Sequence, residues 1–446
     1  MKHLYHSSAL DTAAPIASWW RASLPTTAEY PALEGDIETD VAIIGGGYTG
    51  LSAAYHLAKE HGVKAVVLER AYPGWGASGR NGGFCCMGGS KLGWKKMITT
   101  YGLEQARAFH QAQIDSTLLV GDLLEAEKID ADRTGHGDIA LAHRPSMLAE
   151  MAVEQKFMAN AFGAADMLLD RGALVAQGLA GPHFHGGLAS PVGFGLNPFK
   201  YVTGLAAAAA ARGARIAAQS PVTGWTRETY GHRLTTPQGS VRADKVLIAT
   251  NGYTPEDLYG GFGGRLLPAL SSIVVTRPLT EAELTAAGWT STTPCFDLLN
   301  LLHYFRLLPD GRFLFGGRGG VSAEPGALER QSGRIEAAFR RYYPAWRDVE
   351  ITHRWSGLVC LAADFLPHIG AWEGEPGIYF SVAYHGNGVA LASWAGRTAA
   401  RLMATGENAA PAMLRKAPPR FPLPALRPLY LRGAYVKFGI EDALGR

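Results

Sequence analysis

The run Gly45-Gly46-Gly47-Tyr48-Thr49-Gly50 constrains this chain more than any other stretch. It follows the apolar segment Val41-Ala-Ile-Ile44, which reads as a strand buried on both faces. A helical pattern follows over 51–61, then a second apolar strand, 64–68, that ends at Glu69. Strand, glycine turn, helix, strand and terminal acid within about 30 residues form a βαβ unit of the dinucleotide-binding kind. Gly45, Gly47 and Gly50 let backbone approach a pyrophosphate, and the helix opened by Tyr48 and Thr49 favours its charge. Glu69, with Arg70 beside it, is placed to take the hydrogen bonds of a ribose diol. In a chain with 55 glycines among 446 residues, the hexapeptide alone would mean little. Its setting between two buried strands gives it force.

Three further blocks point to the same ligand. Gly74-Trp-Gly-Ala-Ser-Gly-Arg-Asn-Gly-Gly83 packs five glycines into ten residues. That density suits a backbone lying against a flat ring and a diphosphate, and Gly76, Ala77, Ser78, Arg80, Asn81, Gly82 and Gly83 are its candidate contacts. Ala249-Thr-Asn-Gly252 closes an apolar strand over 245–249, with Thr250 and Gly252 as candidates. Near the C-terminus, Arg354-Trp-Ser-Gly357 is followed by Asp364-Phe-Leu-Pro-His-Ile-Gly370 and then by Ala383-Tyr-His-Gly-Asn-Gly388. Gly386, Asn387, Gly388 and Val389 open a helix over 389–404, so free N–H groups and a positive dipole end are available to a negative charge.

Elsewhere the periodicity predicts helices over 103–126, 146–171, 198–212 and 325–343. It predicts strands over 215–218, 224–228, 233–236, 272–276, 303–308, 312–315 and 379–383. Residues 1–35 form an irregular arm that Trp19 and Trp20 would pack onto the body, and a proline-rich stretch over 416–428 precedes a short terminal helix. The net charge of +3 gives no field for nucleic acid or acidic lipid. Four cysteines without CxxC spacing fit a reduced, cytoplasmic setting and no zinc site. No run of about 20 apolar residues predicts a transmembrane helix. His183-Phe-His185 lacks a nearby acid, so no metal is expected, and nothing sets an oligomeric state.

Taken in order, the four blocks resemble the D-amino-acid-oxidase-like superfamily of FAD enzymes over roughly residues 35–405. The loop from Gly76 to Gly83, with Tyr304-Phe-Arg306 and Gly316-Gly317, looks most like its gamma-glutamylputrescine oxidase branch. The resemblance implies an α/β fold, α+β overall. A Rossmann-like FAD-binding domain built from discontinuous segments (36–90, 196–256 and 352–415) carries a β-sheet substrate domain with helices (91–195 and 257–351), with the 1–35 arm and a 416–446 extension outside both. It also implies that the Val222 backbone meets the adenine. In the glycine and D-amino-acid oxidases an arginine grips the substrate carboxylate; Val359 stands at its place here. Gly357 stands where the sarcosine oxidases link the flavin to cysteine, with Cys360 three residues off, so FAD is expected to be noncovalent. Asn387 replaces the middle histidine of the family's Gly-His-Gly.

The expected activity is oxidation of a C–N bond in an amine or imino acid, with hydride passing to flavin N5 and dioxygen giving hydrogen peroxide. A secondary amine, a gamma-glutamylated polyamine and a cyclic imino acid such as L-pipecolate all remain open as substrates. So do a dehydrogenase passing electrons to another acceptor and an FAD-binding subunit of a larger complex. Tyr304, Arg306 and His385 are the residues expected to line the substrate cavity, with Lys91 or Arg306 as the cation for a carboxylate.

Overall fold

The structure, a computed structural model, describes residues 2–444. Two eight-stranded sheets dominate it. In the first, Gly35–Ile44 is central and pairs in parallel with Gly239–Ile248 on one side and Ala65–Leu68 on the other. Arg215–Ala217 extends the sheet beyond Ala65–Leu68, and Ile378–Val382 extends it beyond Gly239–Ile248. His368–Ala371 and a hairpin of Gly224–Arg227 with His232–Thr236 add antiparallel pairs. Alternation along the central strand feeds two cores. Val41 and Ile43 face the helices Tyr48–His61, Pro198–Ala211 and Gly388–Thr405, while Ala42 and Ile44 face Val222, Leu258 and Phe262. A strand covered on both faces must be apolar throughout, which is why 41–44 reads as a continuous apolar run.

The second sheet runs in the order Ile351–Leu361, Leu267–Pro278, Arg312–Gly320, His303–Leu307, Cys295–Asp297, Asp138–Ala142, Gly186–Ser190, Met167–Asp170. Phe305, Phe313 and Phe315 fill one face against the helix Pro325–Tyr342, together with Tyr343 and Trp346. The opposite face, carrying Phe296, Tyr304 and Arg318, looks toward the first sheet.

Several expectations change here. Residues 352–361, read as part of the FAD domain, lie in Ile351–Leu361, the edge strand of the second sheet, hydrogen-bonded along Leu267–Pro278. The helix expected over 146–171 ends at Phe162, because Gly163 takes a left-handed φ of 69° and the chain turns back into the strand Met167–Asp170. The terminal helix is not short: it spans Arg427–Ala443. The N-terminal arm packs as expected. Trp20 Nε1 donates to the Asn81 carbonyl at 2.8 Å, and its ring meets Trp355 edge-on.

Candidate functional site

Between the two sheets lies an elongated cavity of about 400 Å³. At one end Glu69 closes the strand Ala65–Leu68, and its carboxylate accepts from the Gly46 N–H at 2.6 Å and the Ala71 N–H at 3.0 Å. Burial raises its pKa, and those N–H donors oppose the rise. Arg70 and Val222 line the same end.

The glycine turn follows. Gly45 has φ +113°, and a Cβ there would lie 2.9 Å from the Ala249 carbonyl oxygen. At Gly50 a Cβ would overlap the Gly45 carbonyl oxygen and sit 3.0 Å from Ile43 Cγ2. The helix Tyr48–His61 starts at Gly47 without a side-chain cap from that residue; Ser78 Oγ takes only the Tyr48 N–H, at 3.0 Å. A second helix N-terminus, that of Gly388–Thr405, opens on the same cavity, again without a side-chain cap from its N-cap residue, Asn387. Tyr384 OH bonds Thr49 Oγ1 at 2.7 Å and Ser381 Oγ at 2.8 Å, which fixes the two helix starts against each other. Two positive dipole ends therefore share one cavity.

Of the residues singled out from sequence, Gly45, Gly47, Tyr48, Thr49, Glu69, Arg70, Gly76, Ala77, Ser78, Arg80, Asn81 and Gly82 line this cavity. So do Val222, Thr250, Gly357, Gly386, Asn387, Gly388, Val389, Lys91 and Tyr304. Gly50, Gly83 and Gly252 do not; they serve close packing. A Cβ at Gly83 would strike the Leu196 carbonyl and the Arg306 guanidinium, and one at Gly252 would touch the Val359 carbonyl at 3.3 Å.

Arg306 and His385 fall outside the cavity lining, against expectation. Arg306 shares a sheet face with Tyr304, but the loop backbone covers it: Nε donates to Gly82 O at 3.1 Å and Nη2 to Leu196 O, and the residue is 1% exposed. It braces the glycine loop from behind. His385 has φ 52°, so its ring swings away from Gly386. Nε2 accepts from the Ala362 N–H at 3.1 Å, and Nδ1 lies 3.2 Å from the Gly89 carbonyl, which requires the neutral ring. Burial lowers its pKa to about 4. A histidine held neutral in the folded state stabilises it fully above the unfolded value near 6.5, and this is lost as pH falls toward 4. A denaturant midpoint series from pH 7 to 4 should show that loss shrink in His385→Gln.

The sequence reading missed Arg318, Asp138, Phe296, Leu302, Asn251 and Tyr384, all in the lining. Arg318 lies on Arg312–Gly320, two residues beyond Gly316, which pairs with Tyr304. Alternation puts it on Tyr304's face, the signal that could have found it. Its guanidinium reaches the Gly386 end of the cavity, 3.4 Å from where a Gly386 Cβ would stand, and no protein acceptor binds it among the described residues. Lys91 also lacks a carboxylate partner among the described residues. It keeps a face open to the cavity, while burial of its ammonium and the charge of Arg318 pull its pKa down. Tyr304 OH bonds Ser271 Oγ at 2.9 Å. Among the described residues lining the cavity there is no histidine, and the acids are Glu69 and Asp138 alone.

This is the frame of a protein that holds an extended dinucleotide between a doubly wound sheet and a second, substrate-facing sheet. FAD fits the residues present. Trp75 Nε1, in the cavity wall, is buried with no partner, and an acceptor on a ligand would satisfy it. The chain belongs to the DAO family of FAD-dependent oxidoreductases, matching it over residues 40–402. It is 31% identical over 389 residues to a probable oxidoreductase, OrdL, of Haemophilus influenzae, covering 86% of this chain and 87% of that one. It is 30% identical over 438 residues to the gamma-glutamylputrescine oxidoreductase of Escherichia coli, covering 96% and 99%. Its fold is similar to that of L-proline dehydrogenase from P. horikoshii, with TM-score 0.68 and 20% identity over 90% of this chain and 99% of that one. Among the described residues no helix is long and apolar enough to cross a membrane.

The thiols in the lining, Cys86 and Cys360, are buried, and burial pushes both pKa values up. A protonated thiol is a poor nucleophile. Acid or heat denaturation should therefore release all the FAD into the supernatant; yellow colour remaining on the precipitated chain would show a covalent link.

Proposed function

We propose that the chain oxidises the C–N bond of an amine or imino acid to an imine, with dioxygen reduced to hydrogen peroxide. Bound FAD supplies the acceptor for the hydride leaving the carbon next to nitrogen. The residues to hold it are those lining the cavity from Glu69 to Val389. The observation that carries the reading is the absence of a histidine from the described lining, together with the placement of His385 outside it. Removing hydride from an alcohol carbon needs a base near the hydroxyl proton. An amine brings its own lone pair and needs only to be neutral.

The chain's own residues favour that neutral form. Phe84, Phe296, Leu302 and Tyr304 present an apolar wall that disfavours a bare ammonium. Arg318 and Lys91 add positive charge at the Gly386 end, which lowers the pKa of a nearby ammonium. If the substrate carries a carboxylate close to the reacting carbon, the same two cations hold it, since Val359 cannot. The near-full-length similarity to a gamma-glutamylputrescine oxidoreductase supports an amine substrate.

An anaerobic screen of amines, imino acids and alcohols for bleaching of the flavin band tests this reading. Amines should bleach it and alcohols should not. Stoichiometric peroxide on admitting air separates an oxidase from a dehydrogenase or an electron-passing subunit. Bleaching by alcohols alone overturns the reading.

A further inference from the structure

Asp138 begins the strand Asp138–Ala142, and alternation puts its side chain on the cavity-facing side with Phe296 and Tyr304, while Ile139 and Leu141 enter the opposite core. Its carboxyl lies against the Cys86 thiol, and the other charge acting on it is that of Asp166; among the described residues none is a cation. Cys295, on the opposite face of the neighbouring strand beside Ile139, is the remaining titratable group that feels its charge. Burial raises the pKa of Asp138 to about 7. A carboxylate in a cavity wall without a counter-cation is costly for the protein to keep. A cationic ligand group would remove that cost.

Position decides what such a cation could be. The strand of Asp138 stands three places from Arg312–Gly320 in the sheet order. At about 4.8 Å per strand that is roughly 14 Å from the strand carrying Arg318. Asp138 is thus remote from the Gly386 end and outside the reach of a base for the reacting amine. The cavity has opposite polarity at the two places: cations near Gly386, a lone acid far from it.

We propose that Asp138 selects elongated amines bearing a second, remote ammonium group, which it binds while the reacting nitrogen lies uncharged near Arg318 and Lys91. This rests on the amine reading above and adds a length and a charge to the substrate. The spacing corresponds to a chain of roughly twelve bonds at about 1.2 Å each. The same polarity sets the direction of binding: the ammonium is drawn to Asp138 and repelled from Arg318, so the neutral nitrogen is delivered to the Gly386 end.

The test uses the FAD-loaded enzyme and a matched pair of secondary amines about twelve bonds long, one ending in a primary ammonium and the other in a methyl group. Wild type should favour the ammonium compound at least tenfold in kcat/KM, mainly through KM. Asp138→Asn should bring the pair level in kcat/KM, with unchanged FAD content. Asp138→Ser provides a second variant if the amide misfolds, and the wild-type comparison needs neither. Bleaching of the flavin by both compounds without discrimination overturns the role of Asp138 and leaves the amine reading standing. Equal loss with both compounds in Asp138→Asn overturns it too, since that marks a structural role. No bleaching by either compound, with alcohols active, overturns the amine reading and this proposal with it.

Discussion

Gly50→Ala is expected to yield colourless protein. The added Cβ would overlap the Gly45 carbonyl oxygen and press on Ile43 Cγ2 at 3.0 Å. Neither can yield cheaply: one is backbone in the glycine turn to which the pyrophosphate contacts are assigned, the other a branched side chain in the central strand. Overpacking of this kind typically costs about 1–3 kcal/mol, and more where backbone must move. Relief would have to come from displacing the helix start at Tyr48, which spoils the N–H array offered to a phosphate. The flavin absorbance of the purified variant and its melting temperature with and without added FAD check this. Full occupancy with an unchanged melting temperature would sink the assignment of the turn.

The second large effect separates two arginines that the sequence makes look alike. Arg318→Met should act on catalysis. With an amino or imino acid substrate, removing the cation leaves a carboxylate without its charged partner, a loss of about 2–5 kcal/mol, so KM should rise more than tenfold. With an amine lacking a nearby carboxylate, the acidic limb of the kcat profile, which reports the bound substrate, should instead move to higher pH, because one charge that disfavours the substrate ammonium is gone. Arg306→Met should act on stability and FAD retention. It strips donors from the buried carbonyls of Gly82 and Leu196, each worth about 1–3 kcal/mol when left unsatisfied. A KM change in Arg306→Met equal to that in Arg318→Met, with FAD content intact, would show the two roles to be misassigned.

The difference between those arginines also shows where sequence reasoning stops. Strand alternation put Arg306 on the correct face, but a face is not a cavity: the loop at Gly82-Gly83 lies over part of it, and nothing local to 303–307 records that. Arg318 is hidden because the strand pattern stops at Phe315, glycine being a poor strand former, whereas Gly316 and Gly317 continue the ladder and leave room for Tyr304 and His303. Asp138 is hidden in the same way. Asp-Ile-Ala-Leu-Ala and Gly-Gly-Leu-Ala-Ser, at 138–142 and 186–190, carry little intrinsic strand preference, and only pairing within the sheet makes them strands. His385 adjoins Gly386 in sequence, but its left-handed backbone turns it away. By contrast, features whose physics is local were legible: the glycine turn with Glu69, the Asn197 cap with Pro198 at the start of its helix, and the helix Leu103–Ala126.

The order of strands in the first sheet bears on how this chain is made. The central strand Gly35–Ile44 finds its partner Gly239–Ile248 some 200 residues later, and Ile378–Val382 joins later still. A nascent chain of 230 residues therefore has the Gly45–Gly50 turn but an unpaired strand edge beside it, and nothing yet of the Gly386–Gly388 helix start. Cofactor capture belongs to the last stage of synthesis, after almost the whole polypeptide has emerged. Until then the bare edge of Gly35–Ile44 is open to pairing with other chains. Riboflavin supplied during expression can raise the yield only by trapping molecules that have already closed the sheet.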